Sequence, residues 1–324
     1  MAHAVKFYET GGTDVLRYEA VDVPDPGVGE VRVRHSAVGL NFIDTYHRSG
    51  LYPVPLPSGL GMEAAGTVLA VGPGVEGLAE GDRVAYGTGP LGACATEANR
   101  PAATLVKIPE GVDDGVAAAV MLKGMTAGYL LTMTRPVQAG DTILVHAAAG
   151  GTGLLMVQWA KHLGARVLGV VGSEEKAALA QAHGCDEVIL RDRDDLVERV
   201  RALTDGAGVP VVYDSVGRAT FEASLDCLAP RGMLVSFGNA SGPAPAVEPG
   251  LLAAKGSLYI TRPTLVHYTR DRAELEALAG SVLGLVADGV LQVRVEQRFP
   301  LAEIASAHRA LEGAQTLGAT VLEP

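Results

Sequence analysis

The feature that most constrains the fold is an apolar segment, DTILVHA (141–147), which runs directly into AAGGTG (148–153) and then into an apolar stretch with helical spacing. Small residues let the backbone approach a pyrophosphate and let the helix pack against the strand. The helix N-terminus offers unpaired N–H groups and a positive dipole end to an anion. This order of strand, glycine-rich turn and helix predicts a dinucleotide-binding unit. A tight turn without a ligand is the alternative.

The chain beyond residue 125 alternates between strands and helices, which is typical of a parallel, doubly wound sheet. A helix over 151–164 is predicted to end at Gly164, because glycine adopts a left-handed conformation without a Cβ penalty. A strand over 165–172 follows, and Ser173 is the predicted N-cap of a helix over 173–184. Later strands are predicted at EVIL, VPVVYDSV and GMLVSFG.

The first third of the chain contains short β-rich segments at 31–40, 64–72 and 82–86, separated by Gly, Pro and Asp. These segments predict an antiparallel, barrel-like β domain. Beyond residue 262, two helical segments and short strands are predicted to return to that domain. The expected organisation is a β domain over 1–125 and 263–324, with a cofactor domain inserted over 126–262.

Composition excludes several classes of function. The chain has 324 residues, 48% of them hydrophobic and 19% charged, which suits two domains with apolar cores. A net charge of -11 argues against a nucleic-acid partner. No apolar run is expected to be long enough to span a membrane. The sparse cysteines Cys94, Cys185 and Cys227 indicate a reducing compartment, so a cytoplasmic location is predicted.

The choice of nucleotide depends on the end of the strand that follows the glycine-rich turn. NAD-dependent enzymes usually place Asp or Glu there to bind the ribose 2′-hydroxyl, whereas this strand leads into Ser173. Lys176 and Arg191 are candidates for binding a 2′-phosphate, so NADPH is the predicted cofactor. Solvated surface charge is the alternative for both cations, and Glu174 and Glu175 would favour NAD.

Several motifs together carry a family resemblance. They are GLNFIDTYHRSGLYP (39–53), PSGLGMEAAGTV (57–68), GDRVAY (81–86), LKGMTA (122–127), HAAAGGTG (146–153), VYDSVG (212–217), LVSFGNASG (234–242) and GSLYITRP (256–263). With these motifs, which span nearly its whole length, the chain resembles the medium-chain dehydrogenase/reductases, and within them the NADPH:quinone oxidoreductases related to ζ-crystallin.

The resemblance implies a GroES-like, β-barrel-type catalytic domain, an inserted Rossmann domain, an active cleft between them and a homodimer. Asn41, Tyr46 and Tyr52 match family residues that line the nicotinamide and quinone pocket. The residues that match positions around the cofactor are Thr126, Gly150, Gly151, Thr152, Gly153, Lys176, Phe237 and Gly238. With Asn41, Ser173 and Arg191, they form the predicted cofactor-binding set.

The chain departs from its relatives at two places near the cofactor. Relatives often carry a tyrosine at the position of Arg191, where an arginine remains compatible with a 2′-phosphate. Relatives also carry basic residues in the last segment, whereas GAQTLGATVLEP (313–324) has none. Loss of one contact there would weaken NADPH binding.

A catalytic zinc is not expected. Zinc dehydrogenases of this superfamily use a Cys after the first GL and a His in a GHE motif, and a catalytic zinc needs about three protein ligands. Here those positions are Asn41 and Met62, and Cys94 stands alone where a structural zinc lobe needs four cysteines. Hydrogen-bonded core or surface positions are the expected environments of His35, His47 and His146.

Without a metal to polarise a carbonyl group, a quinone is the favoured acceptor because it is already electrophilic. Positioning of two reactants supplies about 7–11 kcal/mol in the best models. Tyr46 or Tyr52 is expected to donate a hydrogen bond to the developing oxyanion, with packing as the alternative for both. Asp82 and Glu63 are predicted to be turn and structural residues rather than catalysts, and Asp214 is predicted to be structural at a strand end.

The predicted function is NADPH:quinone oxidoreduction. Two alternatives are an NADPH-dependent reductase of enones or alkenals, and a catalytically weak NADPH-binding protein.

Overall fold

The computed structural model describes residues 1–324 and divides them into two compact units. The first unit comprises Met1–Met125, Thr269–Gly289 and Val293–Pro324, and the second comprises Thr126–Tyr268 and Val290–Gln292. The sequence predicts instead that the chain leaves the cofactor domain after residue 262.

Three contacts explain why the second unit extends further. The Tyr268 ring stacks on the Tyr129 ring with centroids 4.4 Å apart, and its hydroxyl accepts a hydrogen bond from Thr134. The backbone N–H of Gln292 donates to the Gln158 side chain at 2.8 Å. These interactions hold residues 263–268 and 290–292 within the second unit.

The strands are β1 (Ala2–Phe7), β2 (Arg17–Val21), β3 (Glu30–Leu40), β4 (Ser58–Gly59), β5 (Glu63–Val71), β6 (Arg83–Tyr86), β7 (Glu97–Pro101), β8 (Val106–Lys107), β9 (Thr142–His146), β10 (Arg166–Val171), β11 (Glu187–Leu190), β12 (Val209–Asp214), β13 (Leu228–Ser236), β14 (Tyr259–Thr261), β15 (Val295–Pro300) and β16 (Ala319–Glu323). The α-helices are α1 (Phe42–Ser49), α2 (Asp114–Tyr129), α3 (Gly151–His162), α4 (Glu174–Ala182), α5 (Leu196–Leu203), α6 (Phe221–Asp226), α7 (Pro249–Ala254), α8 (Arg272–Ala287) and α9 (Ile304–Glu312).

The first unit is built on a seven-stranded sheet with β3 at its centre. The order is β15-β16-β3-β5-β6-β8, and β7 also pairs with β3. Side chains in the first half of β3 alternate between the two faces of the sheet. Val31, Val33 and His35 are buried, whereas Arg34 and Ser36 are exposed. All pairs except β15 with β16 are antiparallel. A separate sheet has the order β2-β1-β4. The predicted antiparallel β architecture is confirmed.

Helix α2 continues into a π-helical turn, Leu130–Thr134. By length and composition, the combined helix Asp114–Thr134 could cross a membrane. The expectation that no apolar run would be long enough was therefore wrong. However, 72% of its most apolar window is buried inside the protein, as in a core helix. The apolar composition is explained by this packing.

The second unit contains a six-stranded, fully parallel sheet with the order β11-β10-β9-β12-β13-β14. The predicted doubly wound sheet is thereby confirmed. Gly164 has φ +84° after α3, and the Ser173 hydroxyl accepts from the Lys176 N–H at the start of α4, as predicted. Strand order reverses between β9 and β12, and ligands of such sheets bind at the carboxyl ends of the strands near this point.

Candidate functional site

The glycine-rich turn lies at the carboxyl end of β9, next to the point where strand order reverses. Gly150 is the N-cap of α3, and its carbonyl accepts the N–H of Leu154 at 2.9 Å. The N–H groups of Gly151, Thr152 and Gly153 precede that first intrahelical bond. They are available to an anion at the helix N-terminus.

Close packing explains the small residues of this turn. A Cβ atom on Gly153 would lie 2.2 Å from the carbonyl oxygen of Ala147, so only glycine fits. Ala148 stands at the first glycine position of the usual motif. Its methyl group fits because β10 carries Gly169, where an added Cβ would lie 2.8 Å from the Cβ of Ala148. A glycine in the neighbouring strand thus compensates for an alanine in the turn.

Other predicted cofactor residues follow the carboxyl ends of neighbouring strands. Ser173 follows β10, and Phe237 and Gly238 follow β13. The Phe237 N–H donates to the Asp214 carbonyl at 2.8 Å, and a Cβ on Gly238 would lie 2.2 Å from the Ser215 carbonyl oxygen. The ends of β12 and β13 therefore pack closely. Thr126 lies in α2, away from these strand ends in sequence.

The predicted 2′-phosphate residue Arg191 is anchored by its backbone. Its N–H donates to the carbonyl of Val171, the last residue of β10, at 2.9 Å. Its guanidinium lies near Gly172, where an added Cβ would be 3.5 Å from an Arg191 terminal nitrogen. Two nitrogens of the same guanidinium bind the Asp192 carboxylate at 2.9 and 3.0 Å. Arg191 is thus an exposed but paired cation.

A buried hydrogen-bond network joins the carboxyl ends of β9 and β12, where His146 and Asp214 lie. The Ser224 hydroxyl contacts Nε2 of His146 at 2.9 Å and donates to Asp214 Oδ2 at 3.1 Å. Thr220 donates to the same oxygen at 2.7 Å, and Oδ1 of Asp214 accepts the N–H of Gly217 at 3.0 Å. Burial lowers the pKa of His146. The predictions of a structural Asp214 and a hydrogen-bonded core His146 are confirmed.

Asn41, at the N-terminus of α1, is held by a buried polar network in the first unit. Its side-chain nitrogen donates to Oε2 of Glu63 at 2.8 Å, and the Lys123 ammonium donates to the same oxygen at 2.8 Å. The other oxygen of Glu63 accepts the Leu122 N–H at 2.8 Å. Glu63 is fully buried, and Lys123 is 6% exposed. These contacts fix the orientation of the Asn41 amide.

Neither Lys123 nor the contact of Glu63 with Asn41 was predicted from the sequence. Glu63 was predicted to be structural, and its buried contacts confirm that role, although it starts β5 rather than forming a turn. Asp82 is a turn residue as predicted, accepting the Ala79 N–H at 2.8 Å. The sequence does contain a signal for the contact between Glu63 and Lys123. Each is the only charged residue in an apolar segment, GMEAAG or VMLKGM, and an isolated buried charge requires a partner.

Asp44 lies in the first turn of α1 and is also fully buried. Its Oδ2 atom accepts the backbone N–H of Asn41 at 2.8 Å, whereas Oδ1 has no hydrogen-bond partner. Burial raises the pKa of Asp44 to about 7, opposed by the Asn41 hydrogen bond and the charge of Lys123. A neutral carboxyl at this site is therefore accessible near neutral pH.

Tyr46 and Tyr52 lie together in the same unit as Asn41. Their rings meet edge to face with centroids 5.2 Å apart, and the Tyr52 N–H donates to the Tyr46 carbonyl at 3.0 Å. Gly50, with φ +83°, ends α1 and turns the chain between them. Tyr46 is buried and Tyr52 is half-buried. Tyr46 lies in α1, the helix that begins directly after Asn41, and Tyr52 follows the end of that helix.

Two other histidines, His35 and His47, lie in the first unit. His35 contacts the Ala95 carbonyl and the Tyr86 hydroxyl, and burial lowers its pKa to about 4, so it is a core residue as expected. His47 differs, because it is buried and its Nδ1 atom has no hydrogen-bond partner. Burial lowers the pKa of His47, which favours the neutral ring.

Comparison with known proteins matches the two halves of the chain to two domain families. Residues 27–136 match the alcohol dehydrogenase GroES-like domain, and residues 151–278 match the zinc-binding dehydrogenase family. A quinone oxidoreductase of Pseudomonas aeruginosa is 54% identical over the full length of both chains. The chain belongs to the quinone oxidoreductase family of medium-chain dehydrogenase/reductases.

Two further relatives of this family bear on the site. The crystal structure of Escherichia coli quinone oxidoreductase complexed with NADPH matches with a TM-score of 0.98 at 46% identity, covering 99% of this chain and 100% of that one. A 2-haloacrylate reductase from a Burkholderia species is 47% identical, covering 100% of this chain and 99% of that protein.

The residues of this family member do not fit a zinc ion. Asn41 and Met62 occupy the two ligand positions identified from the superfamily motifs. Both oxygens of the nearby Glu63 carboxylate already accept hydrogen bonds from this chain. Among residues 1–324, no group of three or more His, Cys, Asp or Glu side chains is arranged to hold a metal.

The residues do fit a dinucleotide. The close approaches at Gly153 and Gly238 leave no room for side chains at the carboxyl ends of the strands, and the start of α3 presents backbone N–H groups. This arrangement suits a pyrophosphate.

Proposed function

We propose that this protein is an NADPH:quinone oxidoreductase that works without a metal ion. The observation that carries this proposal is the 54% identity, over the full length, to the Pseudomonas aeruginosa quinone oxidoreductase. The similarity to the Escherichia coli enzyme complexed with NADPH supports the cofactor.

The second unit supplies most of the proposed cofactor contacts. The N–H groups of Gly151, Thr152 and Gly153 bind the pyrophosphate, with Gly150 leaving room for it. Lys176 and Arg191 bind the 2′-phosphate, next to Ser173. Contacts with the rest of the cofactor are assigned to Asn41, Thr126, Phe237 and Gly238. When bound, NADPH supplies the reducing equivalents.

The first unit supplies the proposed catalytic residues. The Asn41 amide, held by Glu63, binds and orients the nicotinamide and quinone rings. Tyr46 and Tyr52 contact the acceptor, and a phenol group donates a hydrogen bond to the quinone oxygen on which negative charge develops. The ring-to-ring contact of the two tyrosines limits their motion, which favours positioning.

We also propose a cytoplasmic homodimer. All three cysteines are free and buried, which suits a reducing compartment. Strand β14 is the edge of the parallel sheet, with Tyr259 58% exposed, and Val266 nearby in sequence is 59% exposed. A terminal strand with exposed apolar side chains favours pairing with another chain. Sedimentation equilibrium showing only monomers would contradict the dimer.

The proposed activity is tested by following NADPH oxidation with 1,4-benzoquinone in chelator-treated buffer, with NADH measured in parallel. We expect fast turnover that selects NADPH and is unaffected by the chelator. Equal efficiency with NADH would contradict the cofactor assignment. Loss of activity on chelation, or stoichiometric zinc in the purified protein, would contradict metal-free catalysis.

Reduction of a conjugated double bond is the second candidate, favoured by the 47% identity to a 2-haloacrylate reductase. The ratio of kcat/KM for 2-chloroacrylate to that for benzoquinone discriminates between the two acceptor classes. Tight NADPH binding without turnover of either acceptor would instead indicate a binding protein.

A further inference from the structure

The acidic side chains after β10 and β11 divide between two arginines: Glu174 and Asp194 contact Arg193, whereas Asp192 contacts Arg191. Arg193 contacts Glu174 at 2.7 Å, so that carboxylate is directed to a different guanidinium from that of Arg191. Asp194 accepts the Leu190 N–H at 2.7 Å. Among these acids, only Asp192 contacts Arg191. Arg191 therefore has one specific carboxylate partner within this cluster.

The contact between Arg191 and Asp192 has the geometry that a phosphate would use. Two guanidinium nitrogens each contact one carboxylate oxygen, at 2.9 and 3.0 Å. Arginine binds phosphate with the same parallel pair of hydrogen bonds. The Asp192 carboxylate therefore occupies the donors that a 2′-phosphate would need.

The pair is weak enough to be displaced. The side chains of Arg191 and Asp192 are 55% and 69% exposed, and ion pairs at such positions contribute little because water competes for both partners. The backbone of Arg191 is meanwhile held against β10 through Val171. The guanidinium can thus exchange partners without movement of the strand.

We propose that Asp192 is a specificity-determining residue that competes with the 2′-phosphate of the dinucleotide for the guanidinium of Arg191. The proposal rests on the proposed NADPH-dependent function and deepens it. In the free protein, Asp192 pairs with Arg191, and a 2′-phosphorylated ligand binds by displacing it. A ligand with a 2′-hydroxyl does not need this exchange. Asp192 therefore reduces the preference for NADPH over NADH.

The test measures binding to the full-length protein by calorimetry at one low ionic strength. The probes are 2′,5′-ADP and ADP, which differ at the 2′-phosphate, followed by NADPH and NADH. We expect Asp192→Asn to lower the Kd for 2′,5′-ADP and NADPH about two- to fivefold, as release from an exposed ion pair allows. The Kd values for ADP and NADH should not fall.

Two comparisons separate this competition from a general effect of charge. In an Arg191→Ala background, Asp192→Asn should no longer tighten binding of 2′,5′-ADP, because the shared partner is gone. Asp25→Asn removes one exposed charge from another ion pair, with Arg32 of the first unit, and should leave every Kd unchanged.

The outcomes are distinct. An unchanged Kd for 2′,5′-ADP in Asp192→Asn, equal tightening of ADP, or a gain that persists without Arg191 would overturn the competition. The proposed NADPH function would survive these results if the wild type still prefers 2′,5′-ADP to ADP. If the wild type shows no such preference, the NADPH assignment fails together with this inference.

Discussion

Oε2 of Glu63 lies 2.8 Å from the side-chain nitrogen of Asn41 and 2.8 Å from the ammonium of Lys123. One buried carboxylate oxygen therefore joins a proposed catalytic amide to a buried cation. The Asn41 nitrogen must donate toward Glu63, so the direction of the amide is determined by a charge that solvent does not reach. The Glu63 carboxylate thus links the N-terminal end of α1 to Lys123 of α2.

Glu63→Gln should strongly destabilise the protein, because it leaves the Lys123 ammonium buried without a charged partner. Breaking a buried ion pair from one side costs about 3–5 kcal/mol. The free energy of unfolding in urea measures the loss. The double variant Glu63→Gln/Lys123→Met should lose less than the sum of the two single losses, since no charge remains unpaired.

An exposed pair provides the control for this experiment. Glu19 lies 3.6 Å from Lys6 with both side chains about one-third exposed. Glu19→Gln should change the free energy of unfolding by at most about 1 kcal/mol. Equal losses for Glu63→Gln and Glu19→Gln would show that the buried pair has no special role.

The pKa of Asp44 predicts a pH dependence of stability. Burial raises this pKa in the folded protein from about 3.8 to about 7, so between these values the folded state holds a proton that the unfolded chain releases. The contribution of Asp44 therefore stabilises the protein at low pH and is lost as pH rises through this window.

Comparison of the wild type with Asp44→Asn isolates this effect from other titrating groups. The free energy of unfolding of the variant, relative to the wild type, should increase from about pH 4 to about pH 7 and remain constant above. Urea unfolding at several pH values measures the difference. A difference that does not vary with pH would mean that Asp44 has the same pKa in both states.

Local sequence patterns predicted the second unit well. The helix end at Gly164 and the N-cap at Ser173 are decided by backbone conformation and by one hydrogen bond within a few residues. The alternation of β9, α3 and β10 likewise requires a parallel sheet because of chain connectivity. Such features could be predicted because their physical causes are local.

The environment of Asn41 could not be predicted in the same way. Glu63 and Lys123 lie 60 positions apart, and their contact exists only after α2 packs beside β5. The partner of Arg191 was also missed, although Asp192 is its neighbour in sequence. Whether that arginine is directed at its neighbour or at a ligand depends on side-chain rotamers, which residue patterns do not determine.

Gly169→Ala should disturb the glycine-rich turn from the neighbouring strand. The added methyl group would lie 2.8 Å from the Cβ of Ala148 and 2.6 Å from the sulfur of Cys185, both buried. Overpacking of this kind costs about 1–3 kcal/mol. We expect a lower Tm and weaker NADPH binding. The double variant Gly169→Ala/Ala148→Gly should recover partly, because it relieves the contact with Ala148. The recovery should not be complete, because the contact with Cys185 remains.

A helix glycine with open surroundings is the matched control. Gly280 lies in α8 with nothing within 4 Å of an added Cβ. Gly280→Ala should stabilise the protein by about 0.5–1 kcal/mol, since alanine favours the helix. If Gly169→Ala were equally harmless, β10 would have to tolerate a methyl group against the turn.

Tyr52→Phe tests whether the tyrosine pair acts in catalysis or only in packing. The variant keeps the aromatic ring, and with it the edge-to-face contact with Tyr46 5.2 Å away, but removes the phenol hydroxyl. If that hydroxyl stabilises the developing oxyanion, kcat with benzoquinone should fall at least about tenfold, toward the ~10²–10³ lost with an oxyanion-hole donor. NADPH Kd and Tm should stay near the wild-type values. Tyr18→Phe, at a partly exposed ring stacked on His3, should leave all three quantities unchanged. Wild-type turnover in Tyr52→Phe would assign Tyr52 to packing and leave Tyr46 as the candidate hydrogen-bond donor.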